Sequence, residues 1–118
     1  MDVEGACLVE GAGRFHRPDE GTTHWVEQVR SAHLSAGTYS IAAGGTDDQV
    51  PHTEDEVYLV TAGRARLATA GKSIPVEAGD AVFVPAGEHH TFVDVTADFA
   101  AVVVFAPPER APASRAAT

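Results

Sequence analysis

The chain has 118 residues, 44% of them apolar and 21% charged, which leaves room for one compact domain with its own core and no more. Its 17 acidic side chains outnumber 8 basic ones for a net charge of −9, so nucleic acid and anionic membrane surfaces are excluded as natural partners. Cys7 is the single cysteine and has no internal disulfide partner, no stretch approaches the roughly 20 apolar residues of a membrane-spanning helix, and Asp2 and Glu4 stand where a secretion signal carries positive charge, so a cytoplasmic protein is expected.

In chain order, residues 1–20 read as a loosely structured N-terminal arm. Eight short β-branched or aromatic runs follow: His24 to Val29, Leu34 to Ile41, Glu56 to Thr61, Ala65 to Thr69, Ser73 to Val76, Ala81 to Val84, His89 to Val95 and Phe99 to Phe105. Each ends in turn residues such as Gly44-Gly45, Ala62-Gly63, Gly79-Asp80 or Pro85-Ala86-Gly87, and no window of a dozen residues holds apolar side chains at helical spacing without a Gly or Pro intruding. Strands at such intervals predict an all-β sandwich or barrel over residues 21–107. The run APPERAPASRAAT then offers no face to pack, so 108–118 is expected to be a flexible tail. In EVYLV and FAAVVVF apolar residues occupy both parities, so both faces of those strands need cover. Either loops and the N-terminal arm give partial cover, or, as is expected here, a homodimer packs sheet on sheet.

Three side chains carry the chemistry that the sequence suggests: His52, Glu56 and His90. In extended chain, positions four apart lie about 13 Å from one another, too far to share a metal with bonds of about 2 Å. A turn at Thr53-Glu54-Asp55 would bring His52 beside Glu56 across a hairpin, and His90 would complete the set from a later strand.

These residues resemble the cupins, small antiparallel β-barrels of the jelly-roll or double-stranded β-helix type. The second cupin motif, G-X5-P-X-G-X2-H-X3-N, is met by Gly79, Pro85, Gly87, His90 and Asp94, with Asp in place of the final Asn. The first motif, H-X-H-X3-E-X6-G, is met by His52, Glu56 and Gly63, while Val50 stands where its first His belongs. The resemblance implies a single-domain cupin barrel holding a divalent metal ion (Fe, Mn, Zn, Ni or Cu) on His52, Glu56 and His90. Gln49 and Glu54 are the candidates to replace Val50 as a further ligand.

Other residues carry two readings. Tyr58 shares the inward parity of Glu56, and it either orients a substrate or packs with its hydroxyl bonded at the barrel rim. Asp94 supports a ligand imidazole or shapes a turn. Phe83 and Phe92 read as core, and His89 points away from His90. His16, His24 and His33 read as solvated, and Asp47, Asp48, Glu54 and Asp55 as a solvated acidic rim. The functional expectation is a small metal-dependent enzyme, of dioxygenase or isomerase type, acting on a small oxygenated molecule in the barrel. The alternatives are a non-catalytic small-molecule-binding or sensor cupin, and a structural cupin with a degenerate metal site.

Overall fold

The computed structural model describes residues 5–47 and 51–110. It contains eight strands: β1 (Thr23–Arg30), β2 (Ser35–Ile41), β3 (Asp55–Ala62), β4 (Arg64–Thr69), β5 (Ser73–Glu77), β6 (Ala81–Val84), β7 (His90–Val93) and β8 (Phe99–Ala106). No described residue is helical, so no helix there is long and apolar enough to cross a membrane. One sheet has the order β1-β2-β8-β3-β6, the other β5-β4-β7, and every pairing is antiparallel. The all-β class expected from the turn spacing and the jelly-roll type implied by the cupin resemblance are both observed.

Alternation places the core. On β3 the residues Glu56, Tyr58 and Val60 are buried while Leu59 and Thr61 are exposed, and register sets Glu56 opposite Phe105 and Tyr58 opposite Val103. The interior is aromatic, with Tyr39, Tyr58, Phe92, Phe99 and Phe105 each 1% exposed or less. Tyr58 meets Phe92 edge-on at 5.0 Å between centroids. Two of the motif glycines have a mechanical reason. Gly63 joins β3 to β4 at φ 77°, and a Cβ there would collide with the carbonyl oxygen of Asp98. Gly87 holds φ 81° in the turn whose amide N–H reaches the carbonyl of His52 at 2.7 Å.

Every residue of β2 is buried, on both faces. The arm supplies the outer cover: Gly13 N–H donates to Thr38 Oγ1 at 2.9 Å, His16 N–H to Ser40 Oγ at 3.0 Å, and the Thr61 hydroxyl to Gly13 O at 2.6 Å. Farther across the same sheet that cover ends. Phe83, expected in the core, is 61% exposed on the outer face of β6, and Leu59 beside it is 42% exposed. Residue 83 follows the parity of Val57, its register partner, and not that of Glu56.

The C-terminal end also departs from the sequence reading. Glu109, expected in a flexible tail, is 3% exposed. Its N–H donates to Ser35 Oγ at 2.8 Å, and Arg30 Nη2 donates to its carbonyl at 2.6 Å. Residues 111–118 lie outside the described residues, as do 1–4 of the arm.

Candidate functional site

Strand β3 runs inward through Glu56 and Tyr58, and β7 opens with His90 across from them. The Tyr58 hydroxyl lies 2.9 Å from His90 Nε2, and Glu56 Oε2 lies 3.5 Å from the same nitrogen. His90 Nδ1 faces the carbonyl oxygen of Glu88 at 2.9 Å. A carbonyl only accepts, so Nδ1 carries the proton, and in the neutral ring the Nε2 lone pair then accepts from the Tyr58 O–H; the tautomer follows from these partners. Glu56 and Tyr58 are 2% and 0% exposed and His90 7%, so these polar groups act on one another at low dielectric.

His52 belongs to a second pair. Its Nδ1 faces Glu109 Oε2 at 3.6 Å, and its ring packs edge-on against Phe105 with centroids 5.0 Å apart. Phe105 is also the register partner of Glu56, so its bulk adjoins both polar pairs. The expected hairpin at Thr53-Glu54-Asp55 is not formed, because β3 already begins at Asp55 and residues 51–54 lead into it without a strand of their own. Structure therefore brings Glu56 and His90 together and sets His52 against Glu109. Among the described residues, no three His, Cys, Asp or Glu side chains gather as a metal site.

The family resemblance implies a metal held on His52, Glu56 and His90. The Tyr58 hydroxyl lies 2.9 Å from the His90 Nε2 that a cation would use, and His52 faces a carboxylate from outside the motifs. With Glu56 Oε2 3.5 Å from His90 Nε2 and His52 Nδ1 facing Glu109, the described residues do not gather as a three-ligand centre in this arrangement. Of the proposed replacements for Val50, Gln49 lies outside the described residues together with Val50 and Asp48. Glu54 is 2% exposed and accepts from the Thr53 hydroxyl at 2.7 Å and from the Arg110 N–H at 3.1 Å.

Of the expected acidic rim, Asp55 is exposed, Asp47 is half-buried and Glu54 is buried. Asp55 Oδ1 accepts from Ala86 N–H at 2.9 Å, joining the proline turn to β3, and Asp47 Oδ1 accepts from the Tyr39 hydroxyl at 2.5 Å. Asp94 is exposed at φ 55°, a left-handed turn position that Asp and Asn tolerate better than other side chains. His89 is exposed while His90 is buried. His24 is not simply solvated: its ring stacks on His16 at 3.9 Å between centroids. Burial first, then the charge of His16, push its pKa below 6.5, with Asp19 opposing.

Beside the His90 cluster lies an open cleft of about 370 Å³ lined by Asp47, Thr69, His89, His90 and Thr91 together with Ala68 and Ala70. A second cleft of about 430 Å³ lies over β4 and β5, lined by Arg64, Arg66, Glu77, Asp80 and Asp94 among others. It shares no lining residue with the first, and its Arg64 and Glu77 already pair at 3.7 Å in exposed positions, so the chemistry concentrates at the first. Sequence reasoning missed Glu109 and Asp47. The one signal for Glu109 was an acid standing among proline, alanine and arginine.

Comparison with known proteins agrees with this architecture. The sequence profile of the cupin domain matches residues 37–107. An uncharacterised protein of Streptomyces coelicolor is 41% identical over 85 residues, covering 72% of this chain and 81% of the relative. Among solved structures, a Klebsiella pneumoniae protein with a double-stranded β-helix domain superposes with a TM-score of 0.72 at 18% identity, over 89% of this chain and 91% of that one. KdgF from Halomonas sp. superposes at 0.68 with 20% identity, over 76% and 84%. Those two likenesses concern the fold alone, while the profile match spans more than half the sequence: the chain belongs to the cupin family.

Proposed function

We propose that this protein is a small-molecule-binding cupin that takes a polar ligand in the cleft beside His90, with the Tyr58–His90–Glu56 cluster behind it as the recognition element. The observation that carries this reading is the cleft itself. Its volume of about 370 Å³ falls in the range of small-molecule sites, and its mixed polar and apolar lining includes His90, whose imidazole has a partner at each nitrogen. Tyr58 acts here through His90, holding its ring. We propose in addition that a second copy of the chain covers the exposed apolar face around Leu59 and Phe83.

The test pairs ligand-observed NMR, on a panel of small sugars, hydroxy acids and amines, with metal analysis of protein purified without chelator. The reading expects a panel member to shift Thr69, His90 and Thr91 and to lose about tenfold or more in affinity in His90→Ala, the scale of one polar contact to a buried group. It expects well under one metal ion per chain, unchanged in His52→Ala and Glu56→Gln. Stoichiometric metal lost in both variants would restore the three-ligand centre in its place.

A further inference from the structure

The first residues of the connection between β2 and β3, 42–47, lie along β7 without forming a strand. Gly44 N–H donates to Val95 O at 2.7 Å, Phe92 N–H donates to Asp47 Oδ2 at 2.8 Å, and the Thr91 hydroxyl donates to Asp47 O at 3.0 Å. Strand β7 pairs with β4 on its other edge, and it is the outer strand of its sheet among the described residues. Asp47 therefore stands where a neighbouring strand would supply acceptors to an exposed edge. Its second carboxylate oxygen reaches the other sheet, accepting from the hydroxyl of Tyr39 on β2 at 2.5 Å. Tyr39 is 1% exposed, so one side chain ties both halves of the barrel at the seam, through hydrogen bonds to an ionisable acceptor, which are stronger than neutral ones.

We propose that Asp47 is the positioning residue of the site, a substitute strand partner that fixes β7 against β2 and so holds His90 Nε2 at the Tyr58 hydroxyl. The proposal rests on the reading of the His90 cleft as the binding site. Two donors from different sheets meet two oxygens of one carboxylate, a demand that an amide with a single oxygen cannot meet. The bonds reach Thr91, next to His90, and Phe92, the residue after it, so slack at Asp47 passes to the imidazole with little chain between.

The experiment uses the full chain, labelled with ¹⁵N, as wild type, Asp47→Ala, Asp47→Asn and Asp55→Asn. Asp55→Asn is the control, since it loosens a different carboxylate-to-backbone bond. In Asp47→Ala the Phe92 amide is expected to exchange at least about tenfold faster, matching the loss of a charged hydrogen bond, and the ¹⁵N signals of the His90 ring are expected to move as Tyr58 disengages. Asp47→Asn keeps one oxygen and shifts the ring signals by less, while Asp55→Asn leaves them in place. Ring signals of a folded Asp47→Ala protein that coincide with wild type would overturn the proposal; should that variant not fold, coincident signals in Asp47→Asn do so. Failure of the binding reading is separate: a His90→Ala protein that binds the panel as wild type does sinks that reading, whereas the ring signals still report whether Asp47 positions His90.

Discussion

At the scale of single residues, the site is a set of buried groups whose donors and acceptors determine one another. Removing the Tyr58 hydroxyl leaves the Nε2 lone pair of His90 buried beside Glu56 with one donor fewer. Tyr58→Phe is therefore expected to cost about 1–3 kcal/mol, read as a lower urea midpoint at unchanged slope; an unchanged midpoint would mean that the 2.9 Å contact contributes nothing net. His24 carries a pH prediction of definite sign. Its imidazole titrates near 6.5 in the unfolded chain and lower in the folded one, so below 6.5 the unfolded state binds more protons. The stability that this site contributes is full above pH 6.5 and is lost as pH falls through the folded value. Melting temperatures measured from about pH 7.5 down to about pH 5 should fall more steeply for wild type than for His24→Gln. Parallel curves would remove His24 from the acid response.

At the scale of elements, the segment after β8 behaves as part of the barrel. Glu109 and Arg110 fasten it to Ser35 at the start of β2, Arg30 at the end of β1, and Glu54 ahead of β3, with the Glu109 carboxylate against His52. Ending the chain at Pro108 is expected to cost about 2–4 kcal/mol, from two or three lost hydrogen bonds to partly buried partners. Glu109→Ala in the full chain should cost less, since its main-chain bonds survive. Calorimetry that finds the shortened protein melting with wild type would return this segment to the flexible tail that its composition suggests. Eight strands were legible because β-branched runs and turn residues are local signals, and Glu56 and His90 were legible because motif spacing fixes parity. The partner of His52 was not legible. Spacing says which face a side chain leaves from but not where its ring turns, and the carboxylate that meets it arrives from beyond two prolines. Asp47 was hidden for a related reason. An acid in a loop reads as solvated until the donors that converge on it, Tyr39 and Phe92, are known from the fold.

At the scale of the whole molecule, the remaining question is the outer face of the five-stranded sheet. Register makes it continuous: Val102 lies beside Leu59 and Leu59 beside Ala81, while Val104 lies beside Val57 and Val57 beside Phe83. None of these side chains is charged, on a chain with net charge −9, and Phe83 and Leu59 stand 61% and 42% exposed. The arm already covers β2 on this side, so the open part is the β3–β6 half. A patch that is apolar throughout can pack against its own copy about a two-fold axis, with each buried Phe or Leu contributing about 1.5–3 kcal/mol. That association must overcome like-charge repulsion between copies, so added salt should strengthen it by screening. Light scattering after size exclusion is expected to give twice 12.3 kDa for wild type at micromolar concentration. Phe83→Asp should give the single-chain mass, because it places a charge in the middle of the seam. Phe83 contributes little to the monomer's own core, so the variant should keep its fold, and its melting temperature should lose the dependence on protein concentration that a dimer imposes. A wild-type mass of 12.3 kDa throughout that range, in low and high salt alike, would leave this face open to solvent and end the proposal of a second copy.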